Sequence, residues 1–244
     1  MTQKRIGLVL LSGGLDSTTA AAWAIADGMT VSAISFDYGQ THRRELAAAT
    51  AVAKRLRLAH NTVDVSFYRD LAAHSALTNP NKIPMPTERD ISEMADDIPS
   101  TYVPLRNTFF LTMGAAWLES AALRAIEEDR IDPGKLEATL VIAANAIDYS
   151  GYPDCRPEYY ETIAEGLRLG SKIGTQYNIP FSIATPLIAL TKADIVRLAF
   201  DLNAPLDVTW SCYDSGDKPC GRCDSCSLRA KGFADAGIAD PTLS

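Results

Sequence analysis

Residues 5–12 read RIGLVLLS. The run is apolar with almost no alternation. A half-buried antiparallel strand would alternate, whereas a strand covered on both faces does not, and such strands belong to parallel sheets flanked by helices. Gly13–Gly14 ends the run, and a helical stretch is expected over 16–27, closed by Gly28 at a C′ position. The same beat recurs along the chain. Strands are expected at 30–39, 60–67, 138–145 and 181–187, and helices at 41–58, 105–128, 157–177 and 191–202. Within 41–58, Leu46, Ala49, Val52, Ala53 and Leu56 repeat at helical spacing. Strands separated by helices imply right-handed βαβ crossovers, hence an α/β fold with a doubly wound parallel sheet.

Length and charge narrow what such a chain does. Its 244 residues suit one large α/β unit, expected over 1–205, with a small C-terminal segment, 206–244, packed on it. No stretch approaches the ~20 apolar residues that span a bilayer. The first apolar run, about six residues, is too short for the core of a signal peptide. We therefore expect a cytoplasmic protein with no membrane partner. A net charge of −7 argues against broad nucleic-acid affinity, which needs clustered Lys and Arg. A small soluble substrate is the expectation. Residues 69–101 are polar and proline-bearing, longer than an ordinary connection, and read either as a lid or as a surface excursion.

The turn after the first strand carries the first chemical signal. Open α/β sheets bind ligands at the carboxyl ends of their strands. Glycines let backbone N–H groups approach an anion, and the helix N-terminus adds unpaired donors. In LSGGLDSTT, Leu11, Ser12, Gly13, Gly14, Leu15, Asp16, Ser17, Thr18 and Thr19 form the candidate nucleotide cradle. Asp16 would repel a bare phosphate, but suits a carboxylate holding Mg²⁺ that bridges phosphate oxygens. The turn is neither a Walker A loop nor G-x-G-x-x-G. Its S-G-G-x-D-S pattern resembles the PP-loop of the ATP pyrophosphatases, which grip the pyrophosphate of ATP while a substrate oxygen attacks the α-phosphate. That chemistry needs cations more than a nucleophilic side chain, and Lys192 and Arg106 are the candidates. Thr191 and Asp194 form a capping pattern around Lys192, so a capped helix with a solvated lysine is the competing reading. The histidines show no metal spacing. His60 reads as structural, while His42 follows the second strand on the ligand-facing edge.

The tail carries the second signal. Cys212, Cys220, Cys223 and Cys226 follow C-x7-C-x2-C-x2-C. Without disulfide-permitting context, this density argues for metal, and four thiolates suit a closed tetrahedral Zn²⁺ site, with an iron–sulfur cluster as the rival. Cys155 stands apart and reads as a small buried hydrophobe.

Both signals together resemble the 7-cyano-7-deazaguanine synthase family, PP-loop enzymes of the queuosine precursor pathway. The likeness runs nearly end to end, through LSGGLDSTT (11–19), FDYGQTHRREL (36–46), YVPLRNTFFL (102–111), NAIDYSGYPDCRPEY (145–159), TPLIALTKADIV (185–196) and the cysteine tail. The family commonly has glycine where this chain has Leu105. The resemblance implies an adenine nucleotide alpha hydrolase-like fold, one zinc and an ATP-dependent ligase. Such a ligase converts 7-carboxy-7-deazaguanine and ammonia to the nitrile through two adenylated intermediates. It also implies a homodimer. Candidate substrate contacts are Tyr38, Gln40, His42, Asn107, Asp148, Tyr149, Asp154 and Glu158, and the sequence does not select which acid reads the deazaguanine edge. Two rivals stand beside this reading: a PP-loop enzyme modifying tRNA or amidating another substrate, and a zinc-ribbon-like binding module with a nucleotide-sensing domain.

Overall fold

The computed structural model describes residues 3–39, 43–84, 86, 98–147, 152–213 and 216–243. Five strands, β1 (Lys4–Leu10), β2 (Thr30–Asp37), β3 (Ala59–Asp64), β4 (Leu136–Val141) and β5 (Phe181–Ala184), form one sheet of order β3-β2-β1-β4-β5. Every pairing is parallel, with Leu8 opposite Ser32 on one side and Leu140 on the other. The chain runs outward from β1 through β2 to β3 and then returns to place β4 on the other flank of β1. That reversal opens a crevice at the carboxyl ends of β1 and β4, where doubly wound sheets hold their ligands.

Eight helices flank the sheet among the described residues: α1 (Leu15–Ala26), α2 (Arg43–Leu56), α3 (Tyr68–Leu71), α4 (Arg106–Glu127), α5 (Pro157–Leu169), α6 (Lys172–Thr175), α7 (Lys192–Asp201) and α8 (Asp224–Ala236). The pleat explains both layers, because alternate residues of each strand point to opposite faces. Ile6, Leu8, Ile34, Phe36, Ala138 and Leu140 face one core with Leu111, Ala115 and Leu118 of α4 and Tyr160 of α5. Val9, Ala33 and Val141 face the other, with Leu15 and Ala20 of α1, Val52 of α2, Ile195 of α7 and Phe233 of α8. Helix α4 is long and apolar enough to match a membrane span by length and composition, but its inner face is spent on this core.

Two elements depart from expectation. The helix expected over 157–177 is two helices, because Gly170 ends α5 and Ser171, in extended conformation, caps α6 by accepting from Gly174 N at 3.1 Å. The tail contains α8, which the sparse apolar residues of DSCSLRAKGFADA did not announce. Its Leu228 and Phe233 are nevertheless buried. Of the long excursion, Ala76 N donates to Ser100 O at 2.8 Å, so its base is pinned, while residues 85 and 87–97 lie outside the described residues.

Candidate active site

The turn between β1 and α1 is organised around one hydroxyl. Ser17 Oγ accepts from the backbone amides of Ser12 and Gly13, both at 3.2 Å, and meets Ser12 Oγ at 3.0 Å. This folds the turn back over the start of α1, with Gly14 as N-cap and no side-chain cap on its amides. Gly13 sits at φ +88°, and a Cβ there would lie 2.4 Å from Ala49 N and 2.5 Å from Glu45 O. The backbone of α2 thus presses directly on the turn, which only glycine permits.

A cavity of ≈ 340 Å³ opens beside this turn, in the crevice between β1 and β4. From α7, Lys192 reaches across to Asp16, Nζ to Oδ2 at 2.8 Å, with the lysine side chain only 14 % exposed. The capping box of Thr191 and Asp194 is fully formed, so cap and lysine contact coexist. Asn145, beyond β4, donates to Leu190 O at 2.6 Å and Leu187 O at 3.1 Å, fixing the loop that delivers Lys192. Asp16 Oδ1 is buried and has no hydrogen-bond partner, so that oxygen is available to a cation.

The opposite wall is aromatic and charged. Phe110 stacks on Phe36 with ring centroids 4.3 Å apart and tilts against Tyr38. Arg106 opens α4 and donates to the Tyr38 hydroxyl. Burial works against its charge, yet Tyr38, Tyr152, Tyr213 and Asp154 around it prevail and raise its pKa. The residue before it, Leu105, adopts a left-handed conformation (φ +53°). Asp154 is buried, which raises its pKa, while Arg106 and the amide of Asn107 oppose that rise. Its Oδ1 also lacks a hydrogen-bond partner. Glu45, in the first turn of α2, completes the wall, and burial lifts its carboxyl to about 7 against the pull of Arg106.

The four tail cysteines converge. Their Sγ atoms all lie within 4.8 Å of one another, a cluster able to hold a metal ion such as zinc. Cys220 N donates to Cys212 Sγ at 3.2 Å and Cys223 N to Cys220 Sγ at 3.4 Å, the amide-to-sulfur bonds that orient thiolate ligands. The cluster is tied to the turn. Trp210 N donates to Gly13 O at 2.9 Å, and Arg44 of α2 lies over the Trp210 ring at 5.0 Å while bonding Asp217. In α8, Gly232 backs onto the stem of Lys192, where a Cβ would come within 2.4 Å of Lys192 Cγ. Arg229 pairs with Asp240 through two bonds of 2.6 and 2.9 Å and donates to Ser211 Oγ at 3.0 Å.

The profile of the family described as "Queuosine biosynthesis protein QueC" matches residues 6–237. The chain belongs to this family of enzymes. Its relatives named 7-cyano-7-deazaguanine synthase include one from Thermoplasma volcanium, 47% identical over 96% of this chain and 88% of that one. One from Thermoplasma acidophilum is 45% identical over 98% and 92%, and one from Thermosynechococcus vestitus 45% identical over 98% and 95%.

Within this family member the expected residues separate into groups. Leu11, Ser12, Gly14, Leu15, Asp16, Ser17, Tyr38, Arg106, Asn107, Asp154 and Lys192 line the cavity. Gly13 stands behind the turn. Thr18 and Thr19 are buried in α1, with Thr19 Oγ1 donating to Leu15 O at 2.8 Å. Glu158 is exposed at the start of α5, away from the cavity lining. Gln40, His42, Asp148 and Tyr149 lie outside the described residues. His60 holds Ser35 Oγ at 2.8 Å, a structural contact, and Cys155 borders the cavity with its thiol pushed up to about 11 by burial. Sequence reasoning passed over Glu45, Trp210, Ser211, Tyr213 and Arg229. The FDYGQTHRREL segment had drawn attention to Tyr38 and His42 but not to its acid.

Proposed function

We propose that this chain is an ATP-dependent ligase that converts 7-carboxy-7-deazaguanine and ammonia to 7-cyano-7-deazaguanine. Near-full-length identity to synthases of that name carries the reading, and the cavity is consistent with it. Ser12, Gly14 and Ser17 with the start of α1 would face the pyrophosphate of ATP, held in place by Gly13 behind them, with Lys192 and Arg106 supplying positive charge where negative charge builds on the α-phosphate. The unpartnered Oδ1 of Asp16 fits a Mg²⁺ ligand, and Mg²⁺ bound there would screen the phosphate oxygens. The substrate carboxylate attacks the α-phosphate and expels pyrophosphate to give an acyl-adenylate, ammonia displaces AMP, and the resulting amide oxygen attacks a second ATP with loss of a second pyrophosphate before AMP departs and leaves the nitrile.

Phe110, Tyr38 and Tyr152 offer faces for a planar base, and the unpartnered Oδ1 of Asp154 an acceptor for its N–H edge. Of the acids proposed to read that edge, Asp154 is favoured over the exposed Glu158. The cysteine cluster would hold Zn²⁺ as a structural centre organising residues 206–244 against the 1–205 unit. We read the protein as cytoplasmic and homodimeric, acting on a free base rather than on nucleic acid. The test is turnover with 7-carboxy-7-deazaguanine, ammonium, Mg²⁺ and ATP. AMP, pyrophosphate and a nitrile are expected, and ADP with phosphate would overturn α-phosphate attack.

A further inference from the structure

The proposed reaction must dispose of protons. Ammonia joining an acyl-adenylate forms a C–N bond, breaks the bond from carbon to the AMP oxygen, and sheds one N–H proton; AMP leaves as the anion. Adenylating the amide oxygen and closing the nitrile then shed the other two, so all three of ammonia's protons must leave. The described residues lining the cavity include no histidine. Asp16 is tied to Lys192 at 2.8 Å, and Asp154 accepts the amide of Asn107 beside Arg106. Burial keeps Tyr38, Tyr152 and Cys155 protonated at neutral pH, so none of them can take a proton up.

Glu45 is the acid left. It stands in the first turn of α2, its backbone carbonyl pressed on Gly13 of the turn; it lines the cavity together with Tyr38 and Arg106, and its carboxyl is close enough to feel the charge of Arg106. We propose that Glu45 accepts the proton from ammonia as it attacks the adenylated carboxylate, and again from the nitrogen as the nitrile forms. This rests on the ligase reading above. The charged and titratable groups beside Glu45 are Tyr38, just past β2, and Arg106 from α4, and the same cavity is also lined by the Asp16–Lys192 pair, Asp154, Tyr152, Cys155, Tyr213 and Arg229. Burial outweighs the pull of Arg106, which leaves the carboxyl titrating near neutrality, where a general base works best.

The experiment separates the two claims. ATP–pyrophosphate exchange dependent on 7-carboxy-7-deazaguanine reports the first adenylation alone, before ammonia enters. Its absence from the parent enzyme would sink the ligase reading whatever Glu45 does. With exchange present, Glu45→Gln should leave it within about threefold while lowering ammonium-dependent product formation ~10²–10⁴-fold, the range of a lost general base. Referred to free ammonia, the parent rate should fall below about pH 7, and Glu45→Gln should lose that limb. Glu45→Asp should recover part of the rate. Product formation by Glu45→Gln within tenfold of the parent, an unchanged acidic limb, or an equal loss of exchange and product formation would each overturn the assignment.

Discussion

Replacing Gly13 by alanine probes how tightly the turn between β1 and α1 is clamped. At φ +88° an L-residue is strained, at ~1–2 kcal/mol. The new Cβ would stand 2.4 Å from Ala49 N, 2.5 Å from Glu45 O and 3.0 Å from Ala48 C. These are backbone atoms of α2, so no side chain can swing aside, and the helix itself must shift. Overpacking of this kind costs about 1–3 kcal/mol. Together the two effects come to about 2–5 kcal/mol, and in a chain of this size each kcal/mol lowers Tm by ~2–4 °C. A drop of roughly 4–20 °C is expected in a thermal melt followed by circular dichroism. Gly14→Ala is the control. Its φ is −81°, and its nearest neighbours, Ser12 Oγ and Trp210 O, are 3.6 Å away, so it should stay within about 1 kcal/mol of the parent. A Gly13→Ala protein melting within about 2 °C of the parent would show that α2 does not bear on the turn.

Leu105→Gly should stabilise the protein by about 0.5–1 kcal/mol, because the left-handed backbone loses its Cβ penalty while Leu105 is largely exposed; urea titration checks this. Asp240 should support stability in a pH-dependent way. Burial alone would raise its carboxyl, but the hydrogen bonds from Arg229 hold it below the ordinary range. Its contribution is therefore present above about pH 4 and lost as pH falls through the lowered value. Asp240→Asn should cost about 3–5 kcal/mol at pH 7 and flatten the acid limb of the stability profile, read by denaturant melts from pH 3 to 7. Stripping metal with a chelator should release one zinc per chain by elemental analysis and lower helical circular dichroism as α8 loosens, with zinc restoring it. An unchanged spectrum on complete metal loss would make the cluster dispensable for folding.

What could be read from the sequence was whatever neighbouring residues encode. β1 is a near-continuous apolar run and the other strands, the polar edge strand β3 included, are short β-branched or apolar stretches set between helical patterns, so sheet and helices were legible, as was the turn of Ser12–Ser17, whose glycines and hydroxyls are contiguous. Cysteine spacing announced the convergence of the four thiols for the same reason. Contacts between distant segments were hidden. Glu45 sits in an ordinary amphipathic helix with an acidic first turn, and nothing in RRELAAATAVAKRL says that Arg106 and Tyr38 will close over it. The partner of Lys192, Asp16, lies at the other end of the chain. Helix α8 owes its place to Leu228, Phe233 and the buried Arg229–Asp240 pair, too few apolar residues to show a stripe. Gly170–Ser171 did carry a local break signal, and it was outvoted by the periodic residues around it.

The bond from Trp210 N to Gly13 O joins two centres that a motif scan treats as separate. Cys212 follows two residues later, and Gly232 supports the lysine that faces the same turn. None of the five strands draws a residue from the cysteine segment, whereas the turn takes one of its backbone bonds from it. If the four thiols hold a metal as proposed, its loss should be felt at the turn, through Trp210 and Gly13, before it is felt in the sheet.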